Sequence, residues 1–229
     1  MKLGKRLATI AALVPPGGRL ADIGTDHAYL PVYLVSEGIV PWAVAGEVHQ
    51  GPFRAAGEAL ARVGLTDRIE LRFGDGLAVL APGEVDTAVI AGMGGPTIIE
   101  ILSACPEVTA SLSCLVLQPM LGGGAVRRWL AASGWRAVAE ALVEEDGRLY
   151  EVIAAAPGAA EEYEDILYDI GPLLWDRRHP LLRDHLEALL AQARRVAAEM
   201  AASPQAVSSP KYREYLAKIA QLEDKLACL

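Results

Sequence analysis

The chain has 229 residues, 52% of them hydrophobic, and a formal net charge of −8. That length suits one α/β domain of ordinary size plus an appendage, and the apolar share is enough to bury a sizeable core. The acidic balance argues against a surface that is uniformly attractive to a polyanion, no apolar run reaches the roughly 18 residues of a membrane span, and no signal peptide is expected, so a cytoplasmic protein is the reading. Cys105, Cys114 and Cys228 are odd in number and lack metal-like pairing with the four histidines, which points to neither a disulfide framework nor a zinc site.

In chain order, Leu3, Leu7, Ile10, Leu13 and Val14 mark one face of a helix that ends before Pro15-Pro16-Gly17-Gly18. Leu20, Ala21 and Ile23 give the short apolar run of a central parallel strand, which turns at Gly24 into a helix over 29–37 closed by Gly38. Residues 42–47 read as a second strand, 51–63 as a helix closed by Gly64, and 68–73 as a third strand running into Gly74-Asp75-Gly76. A fourth strand over 86–91 ends in Gly92-Met93-Gly94-Gly95, a fifth covers 114–119, and a helix over 122–133 carries Arg127, Arg128 and Trp129 toward solvent or substrate. Residues 135–143 and 149–155 form an antiparallel pair, with Asp146-Gly147 as a two-residue hairpin signal. Past an acidic stretch at 161–165, Leu182, Leu186, Leu189, Ala193, Val196 and Met200 describe a heptad seam. A turn over 201–209 leads to a second seam through Tyr212, Tyr215, Ile219, Leu222, Leu226 and Leu229, so the two helices make an antiparallel hairpin.

The chemistry collects at strand ends. A dinucleotide fingerprint needs three spaced glycines around a pyrophosphate, whereas the first turn has Gly24 flanked by Asp22 and Asp26. Two carboxylates repel a pyrophosphate and suit a cationic cofactor without phosphate, for which S-adenosylmethionine is the common choice, with Asp22 accepting from its amine. Asp22 capping the turn and Asp26 opening the helix is the alternative. Glu47, 23 residues beyond Gly24, stands where such domains place an acid on the ribose hydroxyls, and Asp75 could accept the adenine amine. Four strand ends thus converge on one crevice, where open α/β sheets bind ligands. Residues 171–229 hold nine Lys or Arg against seven Asp or Glu, a balance of +2, leaving −10 for residues 1–170, so the tail is the better place for a polyanion.

Asp22-Ile-Gly-Thr-Asp-His-Ala-Tyr-Leu-Pro31, Ala45-Gly-Glu47, Gly51-Pro-Phe53, Gly74-Asp-Gly-Leu77, Ile90-Ala-Gly-Met-Gly-Gly95, Leu117-Gln-Pro119 and Glu144-Glu-Asp-Gly147 occur in that order. Together they resemble the TrmK family of bacterial tRNA (adenine-N1)-methyltransferases, which modify an adenine in the D-arm. The resemblance implies a class I Rossmann-like methyltransferase sheet over residues 1–160 and a C-terminal antiparallel coiled-coil hairpin over 161–229 that helps hold tRNA. It places cofactor contacts at Asp22, Gly24, Glu47 and Asp75 and a catalytic role at Asp26. Around these, His27 and Tyr29 are further catalytic candidates, and Thr25, Val48, Gly74, Gly76, Ala91, Gly92 and Met93 further cofactor contacts. Gly94, Gly95, Gln118, Pro119, Arg194 and Arg195 are expected to meet the substrate. Two positions depart from the family pattern: Thr25 stands where Ser is usual, and Met120 where Asn is, which removes an amide from the expected adenine pocket. The expected partner is tRNA, with no membrane and no metal, and the chain is expected to act as a monomer, a dimer being the alternative. A class I methyltransferase of a small molecule or protein, or a tRNA-binding protein with a weakened site, are the rival readings.

Overall fold

A computed structural model describes residues 2–229. The chain divides between Glu161 and Glu162 into two compact units. The N-terminal unit is built on a seven-stranded sheet in the order β3-β2-β1-β4-β5-β7-β6. Its strands are β1 (Leu20–Ile23), β2 (Ala43–Glu47), β3 (Ile69–Phe73), β4 (Thr87–Met93), β5 (Cys114–Pro119), β6 (Trp135–Glu145) and β7 (Arg148–Pro157). The first five pair in parallel, and β7 inserts antiparallel between β5 and β6. Strand order reverses beside β1, whose Asp22 registers with Ala45 of β2 on one side and Val89 of β4 on the other.

Every residue of β1, β2 and β5 is buried. A parallel sheet covered on both faces requires this, and it explains the unbroken apolar runs. One core, with Ile10, Leu34 and Leu60, lies under α1 (Lys5–Ala12), α2 (Tyr29–Ser36) and α3 (Gln50–Val63). The other, with Ile98, Leu102, Val108 and Val126, lies under α4 (Gly95–Ala104), α5 (Pro106–Ser111) and α6 (Gly123–Ala132). The hairpin between β6 and β7 turns on Asp146 (φ 51°) and Gly147 (φ 70°), the two left-handed residues of a type I′ turn. Arg127 does not face solvent or substrate as its place in α6 suggested. It is buried between Glu140 of β6, at 2.5 Å, and Glu151 of β7, at 2.7 Å.

The C-terminal unit contains α7 (Asp165–Ile170), α8 (Pro172–Asp176), α9 (Leu182–Ala201), α10 (Pro204–Val207) and α11 (Pro210–Ala227). The expected turn over 201–209 thus holds a short helix. The buried stripe of α9 runs Leu182, Leu186, Leu190, Ala193 and Ala197, while Leu189, Val196 and Met200 are only half-buried. Steps of four, four, three and four follow the 3.6-residue period of a straight helix rather than the 3.5-residue period of a heptad seam. The helical hairpin is present, but α9 turns a slightly different face inward because it also packs on α7. Among the described residues no helix is long and apolar enough to cross a membrane, and no group of three His, Cys, Asp or Glu is placed to hold a metal ion.

Candidate active site

The tip of β1 fixes the site. Asp22 is 5% exposed and accepts from the Thr25 hydroxyl at 2.7 Å. Burial pushes its carboxyl up from the usual carboxylate range to about 6, the Thr25 hydrogen bond opposes this, and the charge of Glu47 adds to it. The chain then leaves the sheet through Gly24 (φ 74°), Asp26 (φ 52°) and Ala28 (φ 55°), three left-handed residues in alternation. A side chain at Gly24 would be strained by φ, and its Cβ would fall 2.3 Å from the Met93 methyl. The turn projects Asp26 and His27 outward, their side chains 66% and 48% exposed and 3.8 Å apart, and His27 stacks on Tyr29 with ring centroids 5.4 Å apart. Ala28 rather than His27 precedes α2, and no side chain caps that helix.

Glu47 ends β2, also 5% exposed. Its Oε1 accepts from the amides of Val48 (2.9 Å) and His49 (2.8 Å), and its Oε2 from the Asp26 amide (3.2 Å), so the acid ties the two adjacent turns together. Oε1 thus has both of its lone pairs taken, while Oε2 keeps one free for a hydroxyl. After β3, Asp75 is exposed between Gly74 and Gly76. Arg72 pins this turn by donating to the Val79 carbonyl at 2.7 Å and to both oxygens of Glu84, which holds the Glu84 carboxyl down at about 2.

The far wall is made by the ends of β4 and β5. Gly92 has φ 77°, and Met93 and Met120 are joined by a backbone hydrogen bond of 2.7 Å. A Cβ at Gly95 would lie 2.6 Å from the Gly122 carbonyl, so Gly94-Gly95 lets two loops pack backbone to backbone. Gln118 and Pro119 are buried, Gln118 at 0% exposure. The Gln118 amide is wholly engaged inside the protein: Nε2 donates to the Pro119 carbonyl and the Met120 sulfur, while Oε1 accepts from the Gly92 amide and from Arg6 Nη1. Expected to meet the substrate, it instead presents Arg6. Arg194 and Arg195 lie on α9 in the C-terminal unit and are exposed. Arg194 pairs with Glu223 at 2.7 Å and Arg195 with Glu199 at 3.9 Å.

Two hollows open at the strand ends and share Gly24, Glu47, Val48, His49 and Met93. One, about 570 Å³, is bounded by Gly74, Asp75, Gly76, Thr97 and Ile101. The other, about 430 Å³, is bounded by Arg6, Asp22, Thr25, Asp26, His27, Tyr29, Ala91 and Gly92. Between them they gather all the expected catalytic and cofactor-contacting residues. They also bring in Arg6, His49 and residues of α4, which sequence reasoning missed. For Arg6 no local signal exists, because its partner Gln118 is 112 positions away.

A divided crevice with an acid at the tip of each of two neighbouring strands suits a nucleoside carrying positive charge, and comparison with known proteins agrees. Residues 3–153 match the methyltransferase domain family. The tRNA (adenine(22)-N(1))-methyltransferase of Bacillus subtilis (strain 168) is 41% identical over 175 residues, which are 76% of this chain and 74% of that one. The crystal structure of the B. subtilis m1A22 tRNA methyltransferase TrmK superposes with a TM-score of 0.85 at 33% identity, covering 99% of this chain and 97% of that one. A putative tRNA (m1A22) methyltransferase of Streptococcus pneumoniae, in complex with S-adenosyl-L-methionine, gives a TM-score of 0.84 at 30% identity over 98% of this chain and all of the other. With this sheet, this crevice and these relatives, the chain belongs to the TrmK family of tRNA (adenine-N1)-methyltransferases.

Proposed function

We infer that this protein transfers a methyl group from S-adenosylmethionine to N1 of an adenine in the D-arm of tRNA, at position 22 as in the B. subtilis relative. The observation that carries the reading is the pairing of buried Asp22 and Glu47 at the tips of neighbouring strands, with Gly24 between them in the wall of both hollows. These residues fit the cofactor. Asp22 faces the hollow that would take the ammonium, Glu47 Oε2 retains an acceptor site for a ribose hydroxyl, and Asp75 in the adjoining hollow can accept from the adenine amine. When bound, the sulfonium supplies an electrophilic methyl group that needs no metal.

The protein's own task is positioning. Adenine N1 has a free lone pair, so attack needs no prior deprotonation, and most of the rate comes from holding the two reactants in line. The base becomes cationic as the methyl arrives. Asp26, exposed at the mouth of the crevice, is placed to stabilise that charge or to take a proton from the exocyclic amine. The stacked pair His27 and Tyr29 offers an aromatic face to a base that has left its stack, a displacement that costs a few kcal/mol. The C-terminal helical unit is proposed to hold the tRNA body. A monomer in the cytoplasm, with its cysteines free, is part of the same reading.

The test is transfer of tritiated methyl from labelled S-adenosylmethionine to tRNA transcripts, followed by nucleoside analysis. N1-methyladenosine should appear and should vanish when the D-arm adenine is replaced by guanine. Label on protein or small molecules, with none on tRNA, would overturn the reading.

A further inference from the structure

The loop between β5 and α6 carries Met120 and Leu121, and Leu121, at 65% exposure, is the most exposed large apolar side chain among the described residues. A single exposed leucine is ordinary on a protein surface. This one stands on a backbone fastened from both sides. The Leu121 carbonyl accepts from the Gly95 amide at 2.8 Å, the Met120 amide donates to the Met93 carbonyl at 2.7 Å, and the Gly122 carbonyl accepts from Ala125 and Val126 as α6 begins. The Met120 sulfur accepts from Nε2 of the buried Gln118 at 3.8 Å. The tip is therefore rigid while its apolar end is held out to solvent, so little ordering is needed when it meets a ligand. Met93, to which the loop is tied, walls both hollows.

The chemistry of this tip suits the inside of a base stack and not the sugar–phosphate backbone. Residues 119–126 hold no charged side chain, so the loop brings no cation to a phosphate. In the sheet order β1-β4-β5 it stands across the end of β4 from the turn that carries the stacked His27 and Tyr29, two strand spacings or about 10 Å away. An adenine offers N1 to a methyl donor only after its Watson–Crick edge has left its surroundings, and its departure leaves a vacancy in the stack. Apolar wedges inserted between bases are a general means of holding such a deformation. We propose that Leu121, on its clipped loop, enters the D-arm and fills the place vacated by the target adenine, holding that base in the crevice. This role rests on the tRNA reading above and adds the residue that keeps the base out of its stack.

The experiment uses the full chain and tRNA carrying 2-aminopurine in place of the target adenine, whose fluorescence rises when it leaves the stack. Saturating wild-type protein with S-adenosylhomocysteine present should raise the emission severalfold, and Leu121→Ala should lose most of that rise. On tRNA with the natural adenine, tritiated methyl transfer by Leu121→Ala should fall about 10- to 100-fold in kcat/KM, the factor expected when a leucine side chain no longer leaves water. Leu121→Met keeps the apolar volume and should stay within about threefold of the wild type. A transcript with an abasic site opposite the target adenine needs less force to release it and should bring Leu121→Ala to within about threefold of the wild type, a rescue that a structural defect would not show. Affinity for S-adenosylhomocysteine should be the same in all three proteins. If Leu121→Ala keeps the full rise and full turnover, or is equally slow on both transcripts, Leu121 is not the wedge. If it loses tRNA affinity while the saturated complex emits like the wild type, Leu121 is a docking contact and the wedge is again excluded. A wild type that labels no tRNA at all would overturn the tRNA reading itself.

Discussion

Asp22 is buried at 5% exposure with its carboxyl raised from 3.8 to about 6, so ionising it opposes folding. A carboxyl whose folded pKa is raised contributes stability that is present below the unfolded value and is lost as pH rises through the folded one. A shift of about two units corresponds to about 3 kcal/mol, lost between pH 4 and pH 7. Asp22→Asn removes the titration while still accepting from Thr25. Urea melts should therefore show the variant gaining on the wild type by about this amount as pH rises from 4 to 8, and parallel pH profiles would refute it. The binding cost is the reverse of that gain. The wild type should hold S-adenosylhomocysteine with an affinity that falls about tenfold per pH unit below pH 6, as Asp22 takes up its proton, and the variant should bind weakly at every pH. Asp26 offers a separate test, because Asn tolerates its left-handed φ of 52° as readily as Asp. Asp26→Asn should lower turnover by about 100-fold while cofactor and tRNA affinities stay within about threefold, which single-turnover kinetics would separate from binding. Unchanged turnover would remove the carboxylate from the chemistry.

At the scale of elements, the sheet was readable because its physics is local. Unbroken apolar runs mark strands covered on both faces, and Asp146-Gly147 specifies a type I′ turn. The acids at the carboxyl ends of strands, Asp22 in β1, Glu47 at the end of β2 and Asp75 just past β3, are legible for the same reason. What escaped depends on partners remote in sequence: Arg6 on Gln118, and Arg127 between Glu140 and Glu151. No window along α6 distinguishes a solvent-facing arginine from one enclosed by the hairpin, since the enclosing carboxylates arrive only with β6 and β7. The α9 stripe shows the same limit by a smaller margin, because a second neighbour, α7, shifts the buried face by one residue. The Arg127 cluster yields an element-level prediction. Glu140 has a side chain at 0% exposure, so Arg127→Met alone leaves a buried charge without its guanidinium and should cost about 3–5 kcal/mol in denaturant melts. Adding Glu140→Leu should recover much of that loss. If the single variant melts like the wild type, the cluster does not fasten the hairpin to α6.

For the whole molecule, the question is which charges of the C-terminal unit remain for tRNA. The structural unit begins at Glu162 and so includes Glu164 and Asp169, which pair with Lys225 at 2.8 Å and Lys218 at 3.1 Å. Arg194 and Arg195 have carboxylate partners of their own, though exposed pairs of this kind are worth only about 0–1 kcal/mol and yield readily to a phosphate. Arg177, Arg183, Lys211 and Arg213 form no ion pair among the described residues. These four release counterions most directly when they meet a backbone, with each phosphate contact adding about 0.9 to the slope of log affinity against log salt on duplex nucleic acid. Replacing all four by Gln should therefore reduce the slope for tRNA by up to about 3 to 4, while Arg194→Gln with Arg195→Gln should reduce it by less than 2. Cofactor affinity should stay unchanged in both variants, because each substitution lies outside the unit that carries the crevice. Removal of residues 162–229 should then leave S-adenosylhomocysteine binding in place and end tRNA methylation at moderate salt. A truncated chain that stays folded, binds cofactor and methylates tRNA as well as the full chain would assign the helical unit a structural role alone.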